Sequence, residues 1–281
     1  MNLIEKIIYG MKWKMTTPTN YSWFHIMFIV IMLALTLYLT IFQRKCSDKR
    51  LRIVCLIAWV ICVLFEIYKQ LDFSFSYNPE TGIKDWDFSW YSFPFQFCSS
   101  PLYILPFIVF LPEGKVRDAF ISYSMTFVLF AGVAVFCYPN DVFISRVMIN
   151  IQTMVHHGLQ IVIGVFLMVH EQKKINLKYF VGGIIVFAGM SLIAILMNVI
   201  MYHAVPAINN GETFNMFYIS PYFPSTLPIL SIIYPKVPYA IFLIIYLIGF
   251  SIAALVMDLI YMLVKFIMRK VNESKSNKQA A

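Results

Sequence analysis

Seven apolar stretches of about 20 residues or more dominate this chain, the length a helix rising ~1.5 Å per residue needs to cross a ~30 Å hydrocarbon core. They lack the alternation of barrel strands, and lipid offers no partner to an open backbone, so closed α-helices remain. With 60% hydrophobic and 13% charged residues and a mean hydropathy of +0.75, no soluble core could bury so much apolar surface. The expected fold is therefore an all-α polytopic membrane protein, a single bundle of about seven transmembrane helices. Its spans are predicted at 22–42, 51–70, 92–111, 116–137, 147–170, 177–203 and 238–268.

Charge gives the expected orientation. Fifteen of the 22 Lys and Arg residues fall in the loops after the first, third and fifth spans, from Arg44 to Arg52, at Lys115 and Arg117, and from Lys173 to Lys178, or in the tail. Cytoplasmic loops carry that excess, so the N-terminus is expected outside and the C-terminus in the cytoplasm. The net charge of +8 is thus mostly a topology signal. A nucleic-acid partner would want those charges clustered on a soluble module, and none is expected. Residues 1–21 read as an interfacial amphipathic segment, with Lys6, Lys12 and Lys14 at headgroup level and Trp13 as anchor. The membrane domain would occupy 22–268, and the basic tail 269–281 has no evident structure.

Ionisable and amide groups inside the spans are expensive and point to function by default. Nearly all lie toward the outer ends: His25 on the first span, Glu66 and Lys69 on the second, Gln96 and Cys98 on the third, and Asn198 on the sixth. The fifth carries Gln152, Thr153, His156, His157 and Gln160, a polar wedge of roughly 140° that must face the bundle interior. Its bland explanation is a hydrogen-bond network holding helices together. On the third span, Pro94 and Pro101 bracket Cys98, which predicts a kinked or irregular segment of the kind tolerated beside a cavity. A lone buried Cys is ordinarily just a small hydrophobe. With two histidines at comparable depth, a thiolate–imidazole pair becomes a candidate.

Cys46, Cys55 and Cys62 read as small packing residues, and Cys137 is placed to bridge to Cys98 in an oxidising compartment. No HxxxH or CxxC spacing supports a metal site, and no cofactor is expected. The aromatic, acidic loop over 72–90 reads as a lid or interfacial belt. The Pro-rich, aromatic stretch between the last two spans would pack over the outer chamber or dip into it.

Five motifs in this order carry a resemblance: SWFHIMF on the first span, FEIYKQ on the second, FPFQFC on the third, VHHGLQ on the fifth and FNMFYISP before the last. Together they resemble the transmembrane protein 164 and YwaF family over about 22–266. That family is regarded as acyltransferase-like, working on phospholipid acyl chains with a Cys and a His. It is distantly similar to membrane hydrolases of fatty-acid esters. The resemblance implies Cys98 as nucleophile and a histidine of VHHG as base. A single His before the Gly is common in the family, which favours His157, and the doubled His keeps His156 in play. The family's Asn before an aromatic–Met pair corresponds to Asn215, in the variant order FNMFY.

The reaction so implied is acyl transfer on a phospholipid or lysophospholipid ester reached from the outer leaflet, through a thioester on Cys98. Gln96, Gln152, Gln160 and Asn198 would serve as oxyanion or substrate contacts, with His25, Glu66, Lys69 and Asn215 lining the same chamber. The rival class is a small-molecule transporter or ligand-binding seven-helix receptor with the chamber as a non-catalytic site. Apolar inner halves and the absence of a visible repeat count against alternating access. For the orientation, a Cys placed at Lys173 in a protein otherwise free of cysteine should react with an impermeant maleimide only after the membrane is opened. Labelling from the outside of intact cells would invert the topology.

Overall fold

The structure is a computed structural model and describes residues 1–43, 45–139 and 142–280. Arg44, which belongs to the first basic loop, and the side chains of Lys275 and Lys278 in the tail lie outside that description. The chain begins with α1 (Leu3–Gly10), started by a capping box in which Asn2 and Glu5 each bond the other's backbone N–H. Next come α2 (Trp23–Phe42) and α3 (Asp48–Ser74), then a hairpin of β1 (Phe75–Tyr77) and β2 (Lys84–Trp86). The hairpin occupies the loop that the sequence suggested as a belt. Its acidic and aromatic residues are organised by a register pairing Phe75 with Trp86.

Re-entry toward the bilayer begins as irregular chain with two short 3-10 turns and becomes helical only at α4 (Pro101–Phe110). The next traverse is continuous from Lys115 to Cys137 but built in three parts: α5 (Lys115–Tyr123), a π-helical turn over Ser124–Val128, and α6 (Leu129–Cys137). Then follow α7 (Val147–His170) and α8 (Leu177–Ala204). A capping segment carries the short helices α9 (Pro206–Asn209) and α10 (Leu230–Ile233) and leads into α11 (Tyr239–Ala280). Six of these traverses are long and apolar enough to span a membrane by themselves. The third of the seven expected spans is a short helix, Phe97–Phe110, completed by irregular chain. The predicted unstructured tail is instead a helical extension of α11 to Ala280.

α7 is the axis of the bundle. Its most apolar stretch is 78% buried, against 11% for α2 and 17% for α11, which face lipid. Close approach to α7 rests on absent side chains: a Cβ on Gly132 would lie 2.8 Å from the His157 carbonyl oxygen, and one on Gly164 would lie 2.7 Å from Leu129 Cβ. The basic loops of the sequence meet at one end. There Arg117 pairs with Asp48 at 2.7 Å, Arg52 donates to the carbonyls of Val109 and Leu111, and Lys174 pairs with Asp118 at 3.0 Å.

At the opposite end α1 keeps Leu3, Ile4 and Ile7 exposed, and the chain that follows it is stitched into the protein. Met15 N donates to Ser145 O, and Val147 N to Trp13 O. The fully buried Asp72 carboxylate pairs with both Arg146 and Lys12. Lys12, expected at headgroup level, therefore points inward to the end of α3, while Trp13 stays exposed. All five cysteines are free thiols, so Cys137 does not bridge to Cys98. Gly132→Ala should lower thermal stability in detergent by about 1–3 kcal/mol, because overpacking here meets backbone. Gly189, whose added Cβ would meet nothing within 4 Å, is the control: Gly189→Ala should be neutral or stabilising by up to ~1 kcal/mol.

Candidate functional site

The site starts from a helix that cannot begin until its third residue past the cysteine. Proline at position 101 has no N–H and Pro106 interrupts α4 internally, withdrawing the helical donor to the Leu102 carbonyl. Side chains reach several carbonyls of this irregular segment. The Leu102 carbonyl, which residue 106 would have bonded, accepts from Trp59 Nε1 at 2.9 Å, and the Pro94 carbonyl accepts from Tyr103 Oη at 2.8 Å. The Cys98 carbonyl is taken by two side chains of α7, His156 Nε2 at 2.9 Å and Gln160 Nε2. The irregularity that the prolines predict is thus present, and it brings the cysteine onto the polar wedge.

The wedge residues Gln152, Thr153, His156, His157 and Gln160 are all buried. A carbonyl oxygen only accepts, so the His156 nitrogen that contacts Cys98 carries the hydrogen. His156 Nδ1 is then a lone-pair nitrogen, buried and without a partner. His157 is the mirror case. Its Nδ1 donates to the Thr153 carbonyl at 2.8 Å, one turn back, and Nε2 is left unpartnered. In its neutral form each imidazole thus offers a basic nitrogen to the interior. Gln152 makes only a 3.5 Å contact from Thr153 Oγ1 and its amide nitrogen makes no hydrogen bond.

Lys69 supplies the local charge. It pairs with Glu66 at 2.9 Å and lies within electrostatic reach of Cys98, His156 and His157. Gln70 donates to the same Glu66 oxygen at 2.6 Å and also to the Ser92 carbonyl at 2.7 Å, so the outer end of α3 is tied to the chain entering α4.

Above this centre the capping segment dips inward: Phe214, Met216, Phe217 and Ile219 are fully buried. Its backbone is held by primary amides acting as two-handed clamps. Gln96 donates to Asn215 O at 2.9 Å and accepts from Phe217 N at 3.0 Å. Asn198 donates to Met216 O at 3.0 Å and accepts from Met216 N at 2.7 Å. Asn215 accepts from Ser220 N and donates to Pro224 O, closing the loop on itself. Phe217 and Tyr218 are both left-handed, at φ 57°, a costly conformation for bulky residues that survives only where surroundings dictate it. Outside the clamp lies a cavity of about 140 Å³ lined in part by Tyr91, Gln96, Thr213, Asn215 and Thr226.

The structure thus joins Cys98, His156 and Gln160 directly, with Lys69 and Glu66 nearby, and separates four candidates from them, one being Asn215, bound within the capping loop. His25 accepts from Tyr21 N at 3.0 Å and packs its ring near Phe136 and Phe143, a packing role between α2 and α6. Gln96 and Asn198, suggested as oxyanion donors, have both amide ends engaged by backbone and act as scaffold. Sequence reasoning passed over Ser100, Tyr123 and Tyr246, whose buried hydroxyls have no partner. The signal was present in ISYSMTF, where Ser122, Tyr123, Ser124 and Thr126 place four hydroxyls within five residues of an apolar span.

These features define an integral multi-pass helical membrane protein with a polar core assembled around a broken helix near one face. The family comparison agrees with that description: the TMEM164 family profile matches residues 16–269, and the chain belongs to that family. No curated protein and no solved structure matches it. The clamp has a measurable signature. Gln96→Ala and Asn198→Ala each strip a buried backbone donor and acceptor, at about 1–3 kcal/mol per unsatisfied group. Amide exchange over 213–219 should accelerate in both variants while the middle of α7 stays protected. Equal acceleration throughout α7 would show that the amides hold the bundle and not the loop.

Proposed function

We propose that this protein is a membrane-embedded acyltransferase acting on phospholipid or lysophospholipid esters, with Cys98 as nucleophile and His156 as base. The observation that carries the reading is the grip of His156 on the carbonyl of Cys98 itself at 2.9 Å. It brings the His156 ring to the backbone of the residue that bears the embedded thiol. His157, which the family pattern favours, is anchored to its own helix instead and keeps a secondary place in the proposal.

Thiol deprotonation by His156 would free the thiolate, the nucleophilic species, to attack an ester carbonyl. The tetrahedral intermediate would expel the alcohol of the lysolipid, which recovers the proton from the imidazolium, and leave a thioester on Cys98. A second lysophospholipid hydroxyl, or water, would resolve it. Lys69 is placed to meet a lipid phosphate, and the Gln152 amide, without a partner, is free for a substrate carbonyl. The basic loops gathered at the far end support a cytoplasmic C-terminus, which puts this site under the outer leaflet. Membrane phospholipid and lysophospholipid are the partners this reaction calls for, and it needs no metal or cofactor.

Lipid profiling of membranes bearing the wild-type protein or Cys98→Ala is the direct test. The expected result is a change in acyl composition that Cys98→Ala and His156→Ala each abolish, with the double variant hardly worse than either single one, since residues acting as a unit are not additive. His157→Ala should be the milder histidine change. Full lipid activity in Cys98→Ala would remove the acyl-transfer reading and leave the chamber as a binding site.

A further inference from the structure

Two buried hydroxyls beside the start of α4 have nothing to donate to. Pro101 takes the first helical position. Ser100 is the N-cap residue, 1% exposed, yet its hydroxyl makes no capping bond and has no other partner. Facing it from the last turn of α5 is Tyr123, fully buried. The Tyr123 hydroxyl lies beside Ser100 and within electrostatic reach of Cys98, and it too completes no hydrogen bond. Its ring is fixed by stacking on Phe127 at 5.3 Å, and Phe127 stacks on Phe187, which contacts the Phe97 ring adjoining the cysteine. The π-helical turn begins at the next residue, Ser124. Such turns recur at functional sites because they re-aim side chains.

Buried hydroxyls are nearly always satisfied, and each orphan calls for an explanation. Two orphan hydroxyls at the positive end of a ten-residue helix, on the doorstep of a nucleophile, share one chemistry: they await a negative oxygen. We propose that Ser100 Oγ and Tyr123 Oη form the oxyanion hole of an acyl-transfer centre built on Cys98. This deepens the acyl-transfer reading above and rests on it. As the thiolate sulfur bonds the ester carbon, the carbonyl π electrons move onto oxygen, and these two donors receive that charge. When the intermediate collapses, the C=O re-forms and the alkoxide leaves to take the imidazolium proton. Gln96 and Asn198, occupied by backbone, leave this duty open.

The test uses purified full-length protein in detergent with two probes of the same sulfur. p-Nitrophenyl octanoate acylates a thiol through a tetrahedral oxyanion, whereas iodoacetamide alkylates it by direct displacement and forms none. Mass spectrometry reads each product on Cys98. Tyr123→Phe and Ser100→Ala should each slow acylation roughly a hundredfold and leave alkylation at the wild-type rate. Thermal midpoints should be unchanged or higher, since only an unpartnered hydroxyl is lost. Acylation at the wild-type rate in both variants would overturn the oxyanion hole while leaving the acyltransferase standing. Equal slowing of both probes would also overturn it, because the hydroxyls would then act on the thiol. Wild-type protein that is alkylated but never acylated at Cys98 would remove the underlying reading and this proposal with it.

Discussion

Every backbone carbonyl in a hydrocarbon core must find a donor, and around Cys98 the chain's own helix cannot provide one. The prolines at 94, 101 and 106 withdraw backbone N–H groups along a single short stretch, and the rest of the molecule is arranged to replace them. Trp59 from α3, Tyr103 from α4, and His156 and Gln160 from α7 each aim a side-chain donor at a carbonyl of that stretch. That requirement explains why α7 is polar along one sector and also why it is the most buried helix. A lipid-facing helix could not carry such a wedge, and a helix without it could not hold the break open.

The same logic extends to the capping segment. Between α8 and α11 the chain dips inward with only short helical turns of its own, and amides from two other elements complete its backbone at Asn215, Met216 and Phe217. In a soluble protein water would do this at little cost. Here the loop exists only because Gln96 and Asn198 reach it. The left-handed Phe217 and Tyr218 mark how far the backbone is bent to fit beneath those two clamps.

Much of this was legible in the sequence. Length and apolarity define the helical membrane bundle, and the Pro–Cys–Pro pattern announces the irregular third traverse. The periodicity of the fifth span places the wedge inside. Periodicity could not say which histidine meets the cysteine, because that depends on how α7 is rotated against α4. The rotation is set by Gly132 and Gly164, and nothing in their spacing announces it. Nor could composition separate amides that line a chamber from amides that hold a loop. Gln96, Gln152 and Asn198 look alike on paper, and only the geometry shows that Gln152 alone has its donor free. The partner of Lys12 was hidden for a related reason: nothing in its local sequence announces a buried carboxylate 60 residues away.

The contact between His156 and the Cys98 carbonyl couples proton position to mechanical stiffness. A neutral imidazole holding a carbonyl makes an ordinary hydrogen bond; once its second nitrogen is protonated, the same bond becomes charge-assisted and roughly twice as strong. If His156 receives the thiol proton, the segment bearing the sulfur is gripped hardest during the interval in which the sulfur must hold its aim. When the proton departs with the leaving alcohol, the grip relaxes to its resting strength. The broken helix would then tighten and slacken once per turnover, timed by a single proton.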